Sequence, residues 1–295
     1  MANLKEVRNR IASVNSTQQI TKAMKMVSAA KLRRAQDAIL TMRPYAAKLR
    51  EIMENISGTL EGGAGGDFAR VRPVEKVLIV AVNSNRGLCG AFNANINRAV
   101  NRLIRETYAK QAKEGNVKVL AIGKKASDFF SKQKNVLVGN HNEVYANLNF
   151  ENVSAIAEKI MQEFAAGQYD RVEVVYNQFK NAAVQYVITE QMLPIAPPAP
   201  KGDAAKTAAS DYIFEPRKEE LVLELIPKSV KVQLFKAVLD SHASEHGARM
   251  TAMNKATDNA GEMLRELRLS YNKARQAAIT GEILEIVAGA EALKG

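Results

Sequence analysis

Apolar residues in the first 60 positions recur at helical spacing. Leu4, Val7, Ile11 and Val14 open the pattern, and a polar break follows. It resumes at Met24 and Val27, then runs through Ala35, Ala38, Met42, Ala46, Leu49, Met53, Ile56 and Leu60. Alternating steps of three and four predict one long helix over 3–60 with a coiled-coil seam. Asn3 is placed to cap it, with Glu6 three residues on as in a capping box. At a rise of 1.5 Å per residue the helix would be about 85 Å long, more than a compact domain is wide. Pro44 is predicted to kink it or loosen one turn. Gly62, Gly63, Gly65 and Gly66 are predicted to end it.

From residue 74 the period changes. Short apolar runs at 77–82 and 117–122 read as buried strands, and the amphipathic stretch 91–113 between them reads as a helix. These make a βαβ unit. Further helices are expected at 125–132 and 150–166. Strands at 172–179 and 183–192, joined across 180–182, predict a terminal antiparallel hairpin. The segment therefore reads as a small, mostly parallel α/β sheet. The stretch 194–210 is rich in Pro, Ala and Lys and predicts a mobile loop.

Helical spacing returns over 216–293. Pro216 suits a first helical position with Glu219 and Glu220 in the first turn, and Pro227 is expected to restart the helix after a kink. Leu234, Val238, Met250, Met253, Thr257, Ala260, Leu264, Leu267, Tyr271, Ala274 and Ala278 then form a seam along roughly 100 Å of helix. Two helices too long for a compact core to shield can cover each other, which predicts an antiparallel coiled coil of the chain ends. The expected fold class is α/β, a long antiparallel coiled coil of the N- and C-terminal helices with a small α/β domain inserted, shaped as a rod with a lobe. The expected domains are 1–66 for the first shaft helix, 67–210 for the lobe with its loop at 194–210, and 211–295 for the second shaft helix.

Composition narrows the function. With 46% hydrophobic and 25% charged residues the chain has the balance of a soluble folded protein. The single cysteine, Cys89, excludes an internal disulfide framework and suits a reducing compartment. No run approaches the roughly 20 apolar residues needed to span a bilayer as a helix, so membrane association is expected to be peripheral. Neither a secretory apolar segment nor a transit peptide opens the chain, which is expected to start where its gene starts. The formal charge of +11 predicts attraction to nucleic acid, anionic lipid or an acidic protein. Eleven Lys and Arg against four Asp and Glu fall within residues 1–60, among them Lys25 on the basic face outside the seam. A solvated helix face and an acidic partner ring both explain that concentration.

Candidate chemistry is sparse. The turn Asn83-Ser84-Asn85-Arg86-Gly87-Leu88-Cys89-Gly90-Ala91 follows the first strand where a nucleotide-binding fold cradles pyrophosphate. It has two glycines instead of three, lacks the Lys-Ser/Thr pair of a P-loop, and the second strand ends in Gly123-Lys124 where a ribose-binding acid belongs. A structural turn is the favoured reading. His242, Glu245 and His246 match an H-x-x-E-H metallopeptidase pattern, but a coiled coil supplies neither a third ligand nor an open pocket. His141 reads as a surface-loop residue, and Cys89 as a buried or turn thiol. No catalytic residue, cofactor site or metal site is expected.

Longer stretches carry a likeness to a known family. Ile20-Thr21-Lys22-Ala23-Met24-Lys25-Met26-Val27-Ser28-Ala29-Ala30-Lys31 resembles the N-terminal helix of F-type ATP synthase gamma subunits of bacterial type. Residues 85–93 resemble their glycine turn, 245–253 and 270–276 their last helix, and 279–290 their C-terminal signature. The resemblance implies a coiled-coil rod with an inserted Rossmann-like lobe, acting as the non-catalytic central-stalk rotor that couples ion flow through the membrane c-ring to ATP synthesis. Implied partners are the alpha and beta subunits of the hexamer, the epsilon subunit and the c-ring, with one copy per complex and no nucleic acid. The implied place is the cytoplasmic face of the bacterial inner membrane.

By the same resemblance Arg249 and Gln276 latch the rod to a beta-subunit loop, and Met24, Lys25, Thr280, Glu282 and Glu285 make further rotor–stator contacts tied to coupling. The tip, with Ile283, Ile286, Val287 and Leu293, is implied to turn in an apolar sleeve. Asn85 in place of a usual acid and Gly281 inside the signature depart from the family pattern. Two other classes are weighed against this one. A basic coiled-coil nucleic-acid-binding protein has the charge but no stacking platform or binding motif. A nucleotide-using enzyme lacks the ribose acid.

Overall fold

The structure is a computed structural model that describes residues 4–57, 68, 70–133, 136–195 and 218–293. Asn3, the four glycines at 62–66, the 196–210 part of the proposed loop and Pro216 lie outside the described residues. Packing divides the chain into two compact units, Met1–Ala29 with Arg249–Gly295, and Ala30–Ala248.

The second unit holds the sheet. Strand β1 (Val77–Val82) is buried at every position, as a strand covered on both faces must be. Helix α2 (Phe92–Arg102) follows, then a π-helical turn at Leu103–Thr107, the short helix α3 (Ala109–Lys113) and strand β2 (Val117–Ile122). Helix α4 (Lys124–Phe130), strand β3 (Leu137–Asn140) and helix α5 (Phe150–Ala165) come next. Asn149 caps α5, its side chain accepting from the Asn152 amide at 2.9 Å. Strands β4 (Arg171–Phe179) and β5 (Gln185–Leu193) close the domain as the expected hairpin. The order is β3-β2-β1-β4-β5, with every pairing parallel except β4 with β5.

Each face of the sheet has its own core. On one, Ile79, Ala81 and Val119 pack on Phe92, Ile96, Val100 and Phe130 from α2 and α4. On the other, Leu78, Val80, Val174 and Tyr176 pack on Ile160 and Phe164 of α5. That face also takes Val230, Leu234, Ala237 and Val238 from α6 (Lys218–Ala292), the long C-terminal helix. The inserted domain thus borrows part of its core from the helix that follows it.

Three expectations need correcting. The helix over 91–113 is interrupted at Tyr108, whose amide bonds back to the Leu103 carbonyl while its hydroxyl donates to Glu173 Oε1 at 2.5 Å. Burying this ring requires the extra residue of the π turn. Strand β3 was not expected, because a four-residue edge strand with alternating half-exposed positions gives little apolar signal. Pro227 restarts nothing, since α6 is assigned as helix through it. Buried Ile226 and Val230 flank it, and their packing offsets the lost hydrogen bond.

In the first unit α1 (Leu4–Ser57) and α6 pair antiparallel, with Gln18 and Thr21 meeting Thr257, and Lys25 meeting Asn254. The expected break at 15–23 is part of the seam itself, carried there by polar side chains. Val27 is 58% exposed, and buried Ser28 takes its place. In the second unit Ala38 is exposed and Ile39 is buried instead. The α6 seam from Met253 to Ala278 stands as read.

Tyr108 gives a direct test of the interrupted helix. Tyr108→Phe leaves the buried Glu173 without its hydroxyl donor and should cost about 1–2 kcal/mol. A lowered thermal midpoint with unchanged helix content by circular dichroism is expected.

Candidate functional site

In an open parallel sheet ligands bind beyond the carboxyl ends of the strands, where neighbouring strands lead off in opposite directions. That point here lies between β1 and β4. It is filled by α6. Ser241 Oγ donates to the Val82 carbonyl at 3.1 Å, and Ser244 Oγ to the Asn177 carbonyl at 2.9 Å. Both serines are fully buried. One turn on, Gly247 lies so close to the β4–β5 turn that a Cβ would stand 3.2 Å from Ala182 Cα.

Helix α1 joins the same place. Arg43 Nη2 donates to the Phe179 carbonyl at 2.8 Å and to Asp240 Oδ1 at 3.1 Å. Asp240 is fully buried, and its Oδ2 has no hydrogen-bond partner among the described residues. Burial raises its pKa above the ordinary carboxylate value, with Arg43 opposing the shift through its hydrogen bond and charge. Beside this knot Glu190 of β5 accepts from Tyr176 at 2.7 Å and lies 3.5 Å from Lys236.

The glycine turn is closed upon itself. Asn93 Oδ1 accepts from the Ser84 amide at 3.0 Å, Ser84 Oγ donates to the Arg86 carbonyl at 2.7 Å, and Asn83 Nδ2 donates to Asn97 at 2.8 Å. Gly123, with φ of 103°, lies over it so tightly that a Cβ would be 2.2 Å from the Asn83 carbonyl oxygen. The ends of β1 and β2 are thus packed backbone to backbone, with no room for a side chain at Gly123. Cys89 is buried as expected, with the Asn93 amide 3.2 Å from its sulfur.

His242 and His246 approach at 3.2 Å through their Nε2 atoms, and Tyr145 stacks on His242. Among the described residues no group of three or more His, Cys, Asp or Glu is gathered for a metal. His141 lies in the loop after β3, half-buried there, and burial lowers its pKa.

The residues implied as rotor contacts are spread along both helices. Met24 is half-buried, and Lys25 is exposed outside the buried seam, its side chain reaching over the seam's flank to Asn254 Oδ1 at 2.5 Å. Arg249 is buried on α6. Gln276, Thr280, Glu282 and Glu285 are exposed, with the Thr280 hydroxyl bonded to the Gln276 carbonyl at 2.9 Å. Ile283, Ile286, Val287 and Leu293 are exposed too, Ile286 at 70%.

Sequence reading passed over Asp240, Ser241, Ser244 and Arg43. A signal existed in the small residues Ser241, Ala243, Ser244, Gly247 and Ala248, because such a run permits close approach of a helix to another backbone.

Comparison with known proteins places the chain in a family. A family model described as ATP synthase matches residues 3–293. The ATP synthase gamma chain of Flavobacterium psychrophilum is 61% identical over 295 residues, covering 100% of both chains. Among solved structures, a chain from the central stalk and c-ring of the Tetrahymena thermophila mitochondrial ATP synthase superposes with a TM-score of 0.60 at 28% identity, over 80% of this chain and 99% of that one. A chain from the Euglena gracilis mitochondrial enzyme reaches 0.70 at 23% identity, over 98% of this chain and 94% of its own, a likeness of fold.

The pair of buried Asp240 and part-exposed Arg43 sets a pH dependence. A folded pKa above the unfolded one means that stability is lost as pH rises through the folded value. Arg43→Met removes the cation that holds Asp240 down, so this loss should grow by about 1 kcal/mol at neutral pH, the half-exposed guanidinium being screened by solvent. The thermal midpoint of the variant should fall from pH 5 to pH 8 more steeply than that of the wild type. In Arg43→Met/Asp240→Asn the difference should vanish.

Proposed function

The chain belongs to the ATP synthase gamma-chain family as a central-stalk rotor subunit, and we propose that it catalyses nothing itself and works as a rotating shaft. Residues 1–66 and 211–295 are read as the shaft and 67–210 as its lobe. The shaft turns within the hexamer of alpha and beta subunits, while the lobe rests on epsilon and the c-ring at the cytoplasmic face of the membrane, one copy to a complex. Among the described residues no helix is long and apolar enough to cross a membrane. The comparisons lend nothing to the nucleic-acid alternative.

The exposed apolar end of α6 carries this reading. Ile283, Leu284, Ile286 and Val287 expose half or more of their surface along one face of the helix, with Leu293 at 89% beyond them and the exposed Glu282 and Glu285 on the other side. A run of exposed large apolar side chains on one helix face requires a cover. An apolar sleeve suits a bearing, because its contacts are non-directional and turning breaks no fixed set of hydrogen bonds. Arg249, Gln276, Met24, Lys25, Thr280, Glu282 and Glu285 are read as contacts to the stator along the way.

Ile286→Asp tests the bearing. The free chain should keep its thermal midpoint, because the side chain is already exposed. In the sleeve the buried carboxylate should cost several kcal/mol and impair assembly with alpha and beta subunits, or slow rotation. Normal assembly and rotation would remove the reading.

A further inference from the structure

We propose that Ser241, Ser244 and Arg43 are positioning residues that lock the α/β lobe to helix α6 against twisting, a torsional clutch built into the crevice where related folds bind ligands. The inference rests on the rotor reading. Apolar contacts of Val230, Leu234, Ala237 and Val238 hold α6 on the sheet, but they are non-directional and resist sliding or rolling weakly. Hydrogen bonds are directional. Ser241 and Ser244 are three residues apart on one helix face, and they reach two neighbouring strands, β1 through the Val82 carbonyl and β4 through that of Asn177. Rolling α6 about its axis moves both hydroxyls off their acceptors together.

Arg43 ties the second helix into the same point, holding the end of β4 through the Phe179 carbonyl and α6 through Asp240. Gly247 allows the backbone of α6 to sit against Ala182 in the next turn. Burying two hydroxyls and a carboxylate where alanines would pack is unfavourable for cohesion alone. It is consistent with a joint that must hold one angle. A rotor driven at one end and loaded at the other needs that property at the joint between lobe and shaft.

The test uses the complete ATP synthase, with the alpha and beta hexamer fixed to a surface and a bead attached through Lys113→Cys, an exposed position on α3. The angular variance of the bead during a catalytic pause reports the torsional stiffness between bead and shaft. Ser241→Ala/Ser244→Ala should leave ATP hydrolysis unchanged and raise that variance about two-fold, because two of the directional ties are gone. Proton uptake per ATP hydrolysed, in membrane vesicles, should fall under an opposing gradient. A merely structural role would shift the thermal midpoint without changing the variance. If the double variant does not assemble, Ser241→Ala and Ser244→Ala alone must each raise the variance. An unchanged variance in variants that assemble overturns the clutch. A wild-type complex that does not rotate overturns the rotor reading and the clutch with it.

Discussion

Everything in the second unit depends on the burial of one stretch of α6 against the sheet. Val230, Leu234, Ala237 and Val238 complete the core on one face, and Ser241 and Ser244 seal the carboxyl edge a turn or two later. Without that helix the sheet face holding Leu78, Val80 and Val174 would be covered by α5 alone, with a crevice left between β1 and β4. A chain whose two ends are long helices therefore makes its inserted domain complete only when the final segment has returned. The helix that supplies the missing wall then runs without interruption to the apolar tip.

This arrangement also accounts for a dinucleotide-like topology in a rotor. The parallel strands, the glycine turn and the order β3-β2-β1-β4-β5 are those of a ligand-binding sheet. The place where a ligand would sit is taken by protein on two sides, α6 over the strand ends and Gly123 over the glycine turn. In the reading proposed above a joint to α6 stands where related folds hold a cofactor, while the polar groups of the glycine turn bond to one another.

Much of this was legible in residue order. Strands β1 and β2 fall on the boundaries that their six-residue apolar runs predict, because strands buried on both faces leave a continuous signal. The long helices and the later α6 seam were equally readable from period. The early α1 seam was not, since Gln18, Thr21 and Ser28 occupy seam positions and hide its phase from an apolar count. The break at Tyr108 depends on Glu173, 65 positions away, and no local pattern reports such a partner. The joint was the least visible feature: its acceptors are the backbone carbonyls of Val82, Asn177 and Phe179, which every residue carries. The family likeness implied rotor contacts along the helices and was silent on how the lobe is held.

The central claim is that residues 230–248 of α6 are structurally part of the lobe. Native-state hydrogen exchange on the isolated chain tests it most directly, by comparing the opening free energy of amides at Leu234, Val238 and Ser244 with that of β1 and β4 amides. If α6 is a wall of the domain, all three sets open together with one free energy, and denaturant shifts them in parallel. Protection of Ile79 and Val174 that persists after the Leu234 and Val238 amides have exchanged would show a lobe folded without its helix and would contradict the account.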